Sequence, residues 1–390
     1  MEPMLMPSIE GTCDTRFERV REAFAENFEK RGDVGAAVAI TVDGRSVIDL
    51  WGGHADKARM RPWTRDTIVN VYSATKGFAA TCVNRLADKG FVELDAPVAR
   101  YWPEFAQAGK EHLPVRFILS HRAGLPAIRK PLERDALLKW ELMTAALAAE
   151  QPWWEPGTRH GYHALTLGYL LGEIVRRVTG KTIGAYCREE IAGPLGLDFH
   201  IGLEAKHDER CAELIAAPPP PSGQPNPLAA TDDPESITMK AINNPPGALR
   251  VGTVNSRPWR AAEIPAANGH TNARAIARFY GALACGGELD GVRVMSPAQI
   301  QRCYEEQSYG PDAVMYGLPS RFGLGYRLSH PAARYGPNPH TFGHTGAGGS
   351  LGVADPDTRI GFGYVMNQMG SSMFVDPRVA ALLDALYASL

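Results

Sequence analysis

Ser73-Ala74-Thr75-Lys76 sets a hydroxyl and an amine three residues apart at the head of a helical stretch. Ala79, Ala80, Val83 and Leu86 give that stretch one apolar stripe, so the spacing predicts a buried helix running to Leu86. Three residues is nearly one helical turn, which puts Ser73 and Lys76 on the same side. A serine hydroxyl is a poor nucleophile at neutral pH and needs a neighbour to take its proton. A lysine amine can serve where burial or nearby charge keeps part of it neutral. The free N–H groups of a helix N-terminus also face developing negative charge. The competing reading is structural: Ser73 caps the helix and Lys76 is a solvated first-turn residue.

Upstream, Asp14 or Thr15 can cap a first helix whose Phe17, Val20, Phe24 and Phe28 share a face, with Gly32 stopping it. Two strands, 35–42 and 45–52, follow around Asp43-Gly44, a two-residue hairpin turn. The run Ala36–Ile40 is apolar throughout, which places the hairpin in a sheet covered on both faces. Downstream the pattern is mainly helical to about Leu203, including a helix from Leu165 to Val178. Nine prolines then fall between Pro218 and Pro246, so 217–258 reads as a lid, a substrate-facing loop or disorder. A helix near 272–286 and a strand near 322–328 come next. Strand-like runs at 341–345, 350–354 and 360–367 follow, the last two joined by Asp355-Pro356-Asp357-Thr358. Asp376-Pro377 opens a terminal helix. The fold class expected is α/β (α+β), an antiparallel sheet flanked by helices with an inserted, mainly helical lobe. Residues 1–73 and 265–390 would build the α/β domain, and 74–264 the helical one.

The chain has 390 residues, long enough for two or three lobes and a core that needs no metal or disulfide staples. Its 41 basic and 43 acidic side chains argue against nucleic acid or an anionic membrane as partner. No stretch approaches the ~20 apolar residues of a membrane-spanning helix. Six scattered cysteines, no CxxC pair and no signal-like start suggest reduced thiols in a cytoplasmic protein.

Two further segments carry chemistry. Glu155-Pro156-Gly157-Thr158-Arg159-His160-Gly161-Tyr162 leads through a turn into a helix, a junction where a phenol can project into a cleft or simply pack. Gly343-His344-Thr345-Gly346-Ala347-Gly348-Gly349 can bring backbone N–H groups close to a ligand, or be a twisted edge strand. His160 and His163 lack further ligands for a metal, and nothing calls for a cofactor.

In order, Ser-x-x-Lys, Pro-Gly-Thr leading to Tyr, and a basic-residue-Thr-Gly strand resemble the serine β-lactamase and penicillin-binding-protein superfamily. Within it the chain looks most like the family VIII carboxylesterases, related to class C β-lactamases. Thr67–Tyr72 and Ile118–Pro126 extend the likeness, which covers most of 34–368 outside the proline-rich region. The resemblance implies Ser73 as acyl-accepting nucleophile, with Lys76 and Tyr162 as the proton-transfer pair. It leaves open which of the two takes the serine proton. It also implies an oxyanion hole from the backbone N–H groups of Ser73 and Ala347, with His344, Gly346 and Gly348 lining the substrate side.

Two departures bear on substrate. Ala164 stands where penicillin-recognising relatives usually have Asn, and His344 where they have Lys or Arg. A histidine is only partly charged near neutrality, so a fixed positive charge for a substrate carboxylate is expected to be missing. Both changes favour a neutral, short- to medium-chain ester. β-Lactam or peptide hydrolysis, acyl transfer with the same residues, and a non-catalytic ligand-binding relative are the alternatives. Oligomeric state is left open by the sequence. The rival serine, Ser350 in Gly348-Gly349-Ser350-Leu351-Gly352, matches G-x-S-x-G but lacks a following helix and a downstream histidine. Val178-Thr179-Gly180-Lys181-Thr182 ends like a phosphate loop but has Val175 where the first glycine belongs.

Overall fold

In the computed structural model, which describes residues 8–218, 233–372 and 374–390, both ends of the chain build one sheet. Its N-terminal strands are β1 (Ile9–Cys13), β2 (Gly35–Val42) and β3 (Arg45–Gly53). Short strands β4 (Val69–Asn70), β5 (Phe199–His200) and β6 (His270–Thr271) form a separate three-stranded ribbon, and β7 (Glu288–Leu289) pairs with β8 (Val292–Arg293). The main sheet resumes with β9 (Ser308–Pro311), β10 (Pro319–Phe322), β11 (Arg327–Leu328), β12 (Phe342–Thr345), β13 (Leu351–Asp355) and β14 (Ile360–Met366). Their order is β1-β3-β2-β14-β13-β12-β11-β10-β9, every neighbouring pair antiparallel.

Alternation along β2 explains its continuous apolar run. Ala36, Val38 and Ile40 face helix α1 (Glu18–Lys30) and the C-terminal helix Pro377–Tyr387, through Val20, Phe24, Leu382 and Leu386. Ala37 and Ala39 face the opposite way, into the core that holds the helix Ala273–Ala284. The sheet is therefore covered on both faces, as the hairpin sequence predicts. Asp14 caps the turn before α1 by accepting from the Arg16 N–H, and Asp376 caps the last helix.

Between β3 and β9 lie helices α2 (Thr75–Asp88), α3 (Val115–Leu119), α4 (Trp140–Ala149) and α5 (Thr166–Thr179), joined by long irregular segments. No helix among the described residues is long and apolar enough to cross a membrane. Two expectations are corrected. The single strand read at 322–328 is two, because Gly325 sits at φ 90° and the chain reverses so that Phe322 pairs with Arg327. Strand β1 escaped the sequence reading because, with its middle residues exposed at the sheet edge, it has no apolar alternation. Most of the proline run, 219–232, lies outside the described residues.

A buried ion network ties the two termini together. Arg378 donates to Asp33 Oδ1 at 2.8 Å, to both Asp376 oxygens, and to the carbonyls of Gln368 and Gly348. The Tyr364 hydroxyl donates to the other Asp33 oxygen at 2.6 Å. Removing one member of such a pair leaves an uncompensated buried charge. Arg378→Met is expected to destabilise the protein by about 3–5 kcal/mol in urea unfolding. A loss below about 1 kcal/mol would mean that water replaces the guanidinium.

Candidate active site

Ser73 sits where the chain turns from β4 into α2. Tyr72 is held at φ 43°, a left-handed conformation that a bulky residue rarely adopts and that the surrounding turn imposes. The Ala74, Thr75 and Lys76 N–H groups donate to the carbonyls of Val71, Tyr72 and Ser73, winding the chain into the helix. Ala74 is the cap, so the Ser73 hydroxyl is free of capping duty. Lys76 is fully buried rather than solvated. Its Nζ lies 3.0 Å from Ser73 Oγ, 2.7 Å from the Ala164 carbonyl oxygen and 2.8 Å from that of Ala266. Burial, and then the charge of Arg327, hold the amine well below its ordinary pKa.

Tyr162 is brought in by a network that the Ile118–Pro126 segment supplies. Gly161 N–H donates to the His121 carbonyl, and His163 N–H donates to His121 Nδ1 at 3.0 Å. Leu125 N–H donates to His163 Nε2, and the Thr166 hydroxyl to the Leu125 carbonyl. Asp312, buried after β9, receives the Tyr162 N–H at 3.0 Å on the oxygen that also takes those of Val314 and Met315. Nothing in the sequence links this aspartate to a tyrosine 150 residues upstream; only the fold does. The Tyr162 phenol is turned towards Ser73 and Arg327, and Lys76 Nζ lies 4.9 Å from its ring centre. Burial raises its pKa, with Arg327 and then Ser73 pulling the other way.

The glycine-rich loop reaches the same place. A Cβ on Gly346 would stand 2.2 Å from the Val71 carbonyl oxygen, so only glycine lets this loop lie against the backbone just before Ser73. Behind it the Gly348 carbonyl accepts from Arg378. Ala347 is exposed at the loop tip. Ser350 is the opposite: 1% exposed, leading into β13, its hydroxyl without a partner among the described residues. Lys181, in the loop-like Thr179–Thr182 run, pairs with Glu189. Among the described residues no three His, Cys, Asp or Glu side chains gather as a metal site.

His344 corrects an expectation. It is 1% exposed on β12, its Nδ1 bonded to the Thr345 carbonyl at 2.7 Å and Nε2 unpaired. Burial, then Lys76 and Arg327, push its pKa well down, so the ring is neutral near pH 7 instead of partly charged. A different basic side chain stands beside Tyr162. Arg327, on β11 and in register with Gly343, lies with Cζ 4.8 Å from the Tyr162 ring centre. No motif flags it, because only sheet register places it there. One wall of the site comes from the helix Ile237–Asn243, whose Ala241 packs with Tyr162, Val314 and Phe322, and from Leu249, whose carbonyl oxygen is 3.5 Å from the Tyr72 hydroxyl.

A family model described as Beta-lactamase matches residues 20–386. The chain belongs to the beta-lactamase family. Within that family it is 39% identical over 374 residues to the esterase/beta-lactamase LipL of Mycobacterium tuberculosis, covering 93% of this chain and 84% of that one. The crystal structure of a family VIII carboxylesterase superposes with a TM-score of 0.91 at 43% identity, covering 98% of this chain and all of the other. A penicillin-binding protein homolog from Caulobacter crescentus gives 0.89 at 41% identity, covering 98% of this chain and 100% of that one. The resemblance to family VIII carboxylesterases and the beta-lactamase-like fold therefore hold along nearly the whole chain.

The buried imidazoles of this family member have a consequence for stability. His121 and His344 have pKa values well below normal, His163 is lowered to about 4, and His270, beside β5, to about 3, burial being the first cause in each. Below about pH 6.5 the unfolded chain therefore binds more protons than the folded one, and stability falls as pH falls. Each imidazole contributes up to about 1.4 kcal/mol per pH unit until its folded form titrates. Urea midpoints are expected to drop steadily between pH 7 and pH 5. A flat profile over that range would show that these rings are protonated in the folded protein.

Proposed function

We propose that the chain is a serine carboxylesterase that hydrolyses short- to medium-chain carboxylic esters through an acyl-enzyme on Ser73. The observation that carries this reading is the buried Lys76 amine with Ser73 Oγ and two carbonyl oxygens around it. A neutral amine has two N–H groups, which the Ala164 and Ala266 carbonyls can accept, and one lone pair, which then points at the serine proton. In the proposed reaction Ser73 Oγ attacks the ester carbonyl carbon while its proton passes to Lys76. The backbone N–H groups of Ser73 and Ala347 hold the tetrahedral oxyanion, with Gly346 and Gly348 shaping the loop and His344 on the substrate side. The bond to the alcohol oxygen breaks, that oxygen takes a proton relayed through Tyr162, and the acyl group stays on Ser73. Water, deprotonated by the same pair, then attacks the acyl carbon; the bond to Ser73 Oγ breaks, Oγ takes that proton back, and the acid is released.

A second reading is kept because Arg327 places a permanent positive charge beside the site, and because the relative LipL bears the double description esterase/beta-lactamase. It assigns slow β-lactam hydrolysis or acyl transfer to the same residues. We further propose a cytoplasmic setting, which six free cysteines support, and two lobes, 1–73 with 265–390 and 74–264, flanking the site.

A serine-reactive phosphonate should label the Ser73 peptide and abolish hydrolysis of a short-chain chromogenic ester. Ser73→Ala should remove turnover with the fold intact, whereas Ser350→Ala should keep it. Label on Ser350, or undiminished turnover by Ser73→Ala, would overturn the assignment. Lys76→Ala is expected to lose roughly 10²–10⁴-fold in kcat/KM. A loss below about tenfold would make Lys76 a structural residue. Parallel rates with an ester, a cephalosporin and an alcohol acceptor separate the two readings.

A further inference from the structure

We infer that Arg327 is a positioning residue for proton transfer: its guanidinium, lodged in an aromatic box against Tyr162, is the fixed cation that biases Lys76 and Tyr162 towards their proton-accepting forms. This rests on the acyl-enzyme reading above. Arg327 is 4% exposed, and its Cζ lies 4.8, 5.1 and 5.8 Å from the ring centres of Tyr162, Phe322 and Phe374. Arg321 is paired with Glu306, and Arg378 with Asp33 and Asp376, whereas Arg122 donates to the Gly157 carbonyl and lies over the Phe117 ring. Among the described residues Arg327 lies against three rings and makes no ion pair, and its Nε has no hydrogen-bond partner. Holding a cation in such a place is costly, and the three ring faces offset part of that cost.

The groups it faces show where its field acts. Lys76 from α2 approaches the same Tyr162 ring to 4.9 Å, so the amine and the guanidinium share one phenol. His344 from β12, His121 after α3, and His160 and His163 before α5 complete the polar surroundings, with His330 after β11, Arg321 on β10 and Tyr335 further along the same side. The imidazoles are driven towards neutrality by burial. The carboxylate acting on Tyr162 is Asp312, one of whose oxygens is taken up by three backbone N–H groups. Guanidinium stays charged at every pH at which a protein folds, so Arg327 supplies the constant term in this field. Its charge disfavours protonation of Lys76 and favours ionisation of Tyr162. Both effects extend activity to lower pH, whichever of the two accepts the serine proton.

The test is the pH profile of kcat/KM for a neutral short-chain ester in the wild type, Arg327→Met and Arg327→Lys. Loss of the charge should move the acidic limb up by about one pH unit, the low end of what a charge at this range does. Arg327→Lys should return most of the shift. Where Arg327→Met fails to give a cooperative thermal transition, Arg327→Gln takes its place as the neutral variant. A folded neutral variant whose acidic limb overlays that of the wild type would overturn the inference. So would a loss confined to a hemiester bearing a free carboxylate, which would make Arg327 an anion-binding group instead. Phosphonate labelling is run on every variant. Label at Ser73 with an unmoved limb sinks this inference alone, and no label at Ser73 in the wild type sinks the acyl-enzyme reading with it.

Discussion

The arrangement depends on burying one amine without an acid to pair it. Lys76 Nζ draws its partners from its own turn, at Ser73, and from two distant stretches, Ala164 ahead of α5 and Ala266 ahead of β6. A carboxylate there would have satisfied the amine as an ammonium ion and removed its basicity. Two carbonyl oxygens satisfy its N–H groups but offer little compensation for a full charge in a dry site. The loop before α5 and the segment before β6 must therefore meet at α2 for the site to exist. Neighbouring contacts serve that meeting: the Thr75 hydroxyl accepts from Gly269 N–H, and the His121–His163 bonds pin the loop carrying Tyr162 and Ala164.

What could be read from the sequence was local. Ser73 and Lys76 share a turn, and their helix shows its apolar stripe directly. Tyr162 follows a Pro-Gly turn, and the β2–β3 hairpin carries its own turn residues. Arg327, Asp312 and Arg378 were not legible, because each acts through a contact with residues far away along the chain. Arg327 reaches the site through the register of β11 on β12, and the reversal at Gly325 that fixes this register was itself hidden inside an apparent single strand. Periodicity reports which face a residue lies on. It does not report what stands opposite.

The exchange of roles between His344 and Arg327 shows the limit of reading charge from residue type. A histidine in the basic-Thr-Gly position suggests a weak, pH-dependent cation. Burial on β12, with Lys76 and Arg327 close by, makes it a neutral ring whose unpaired Nε2 is an acceptor. The basic side chain beside Tyr162 stands one strand over, at Arg327 on β11.

That difference locates where substrate choice must be made. The loop bearing Ala347 is clamped by backbone packing, with Gly346 pressed on Val71 in front and the Gly348 carbonyl held by Arg378 behind. The proposed hole of backbone N–H groups, in so fixed a position, would treat the carbonyl of an ester and that of a lactam alike. Discrimination therefore falls to side chains that face the rest of the substrate. Ala164 carries no amide for an acyl side chain, and the His344 ring is buried on β12 with its Nδ1 on the Thr345 carbonyl. Arg327 is withdrawn among aromatic rings, with its guanidinium against Tyr162 and Phe322. Acylation machinery of a general kind is thereby joined to a recognition surface with few donors, which suits a neutral ester better than a carboxylate-bearing ring.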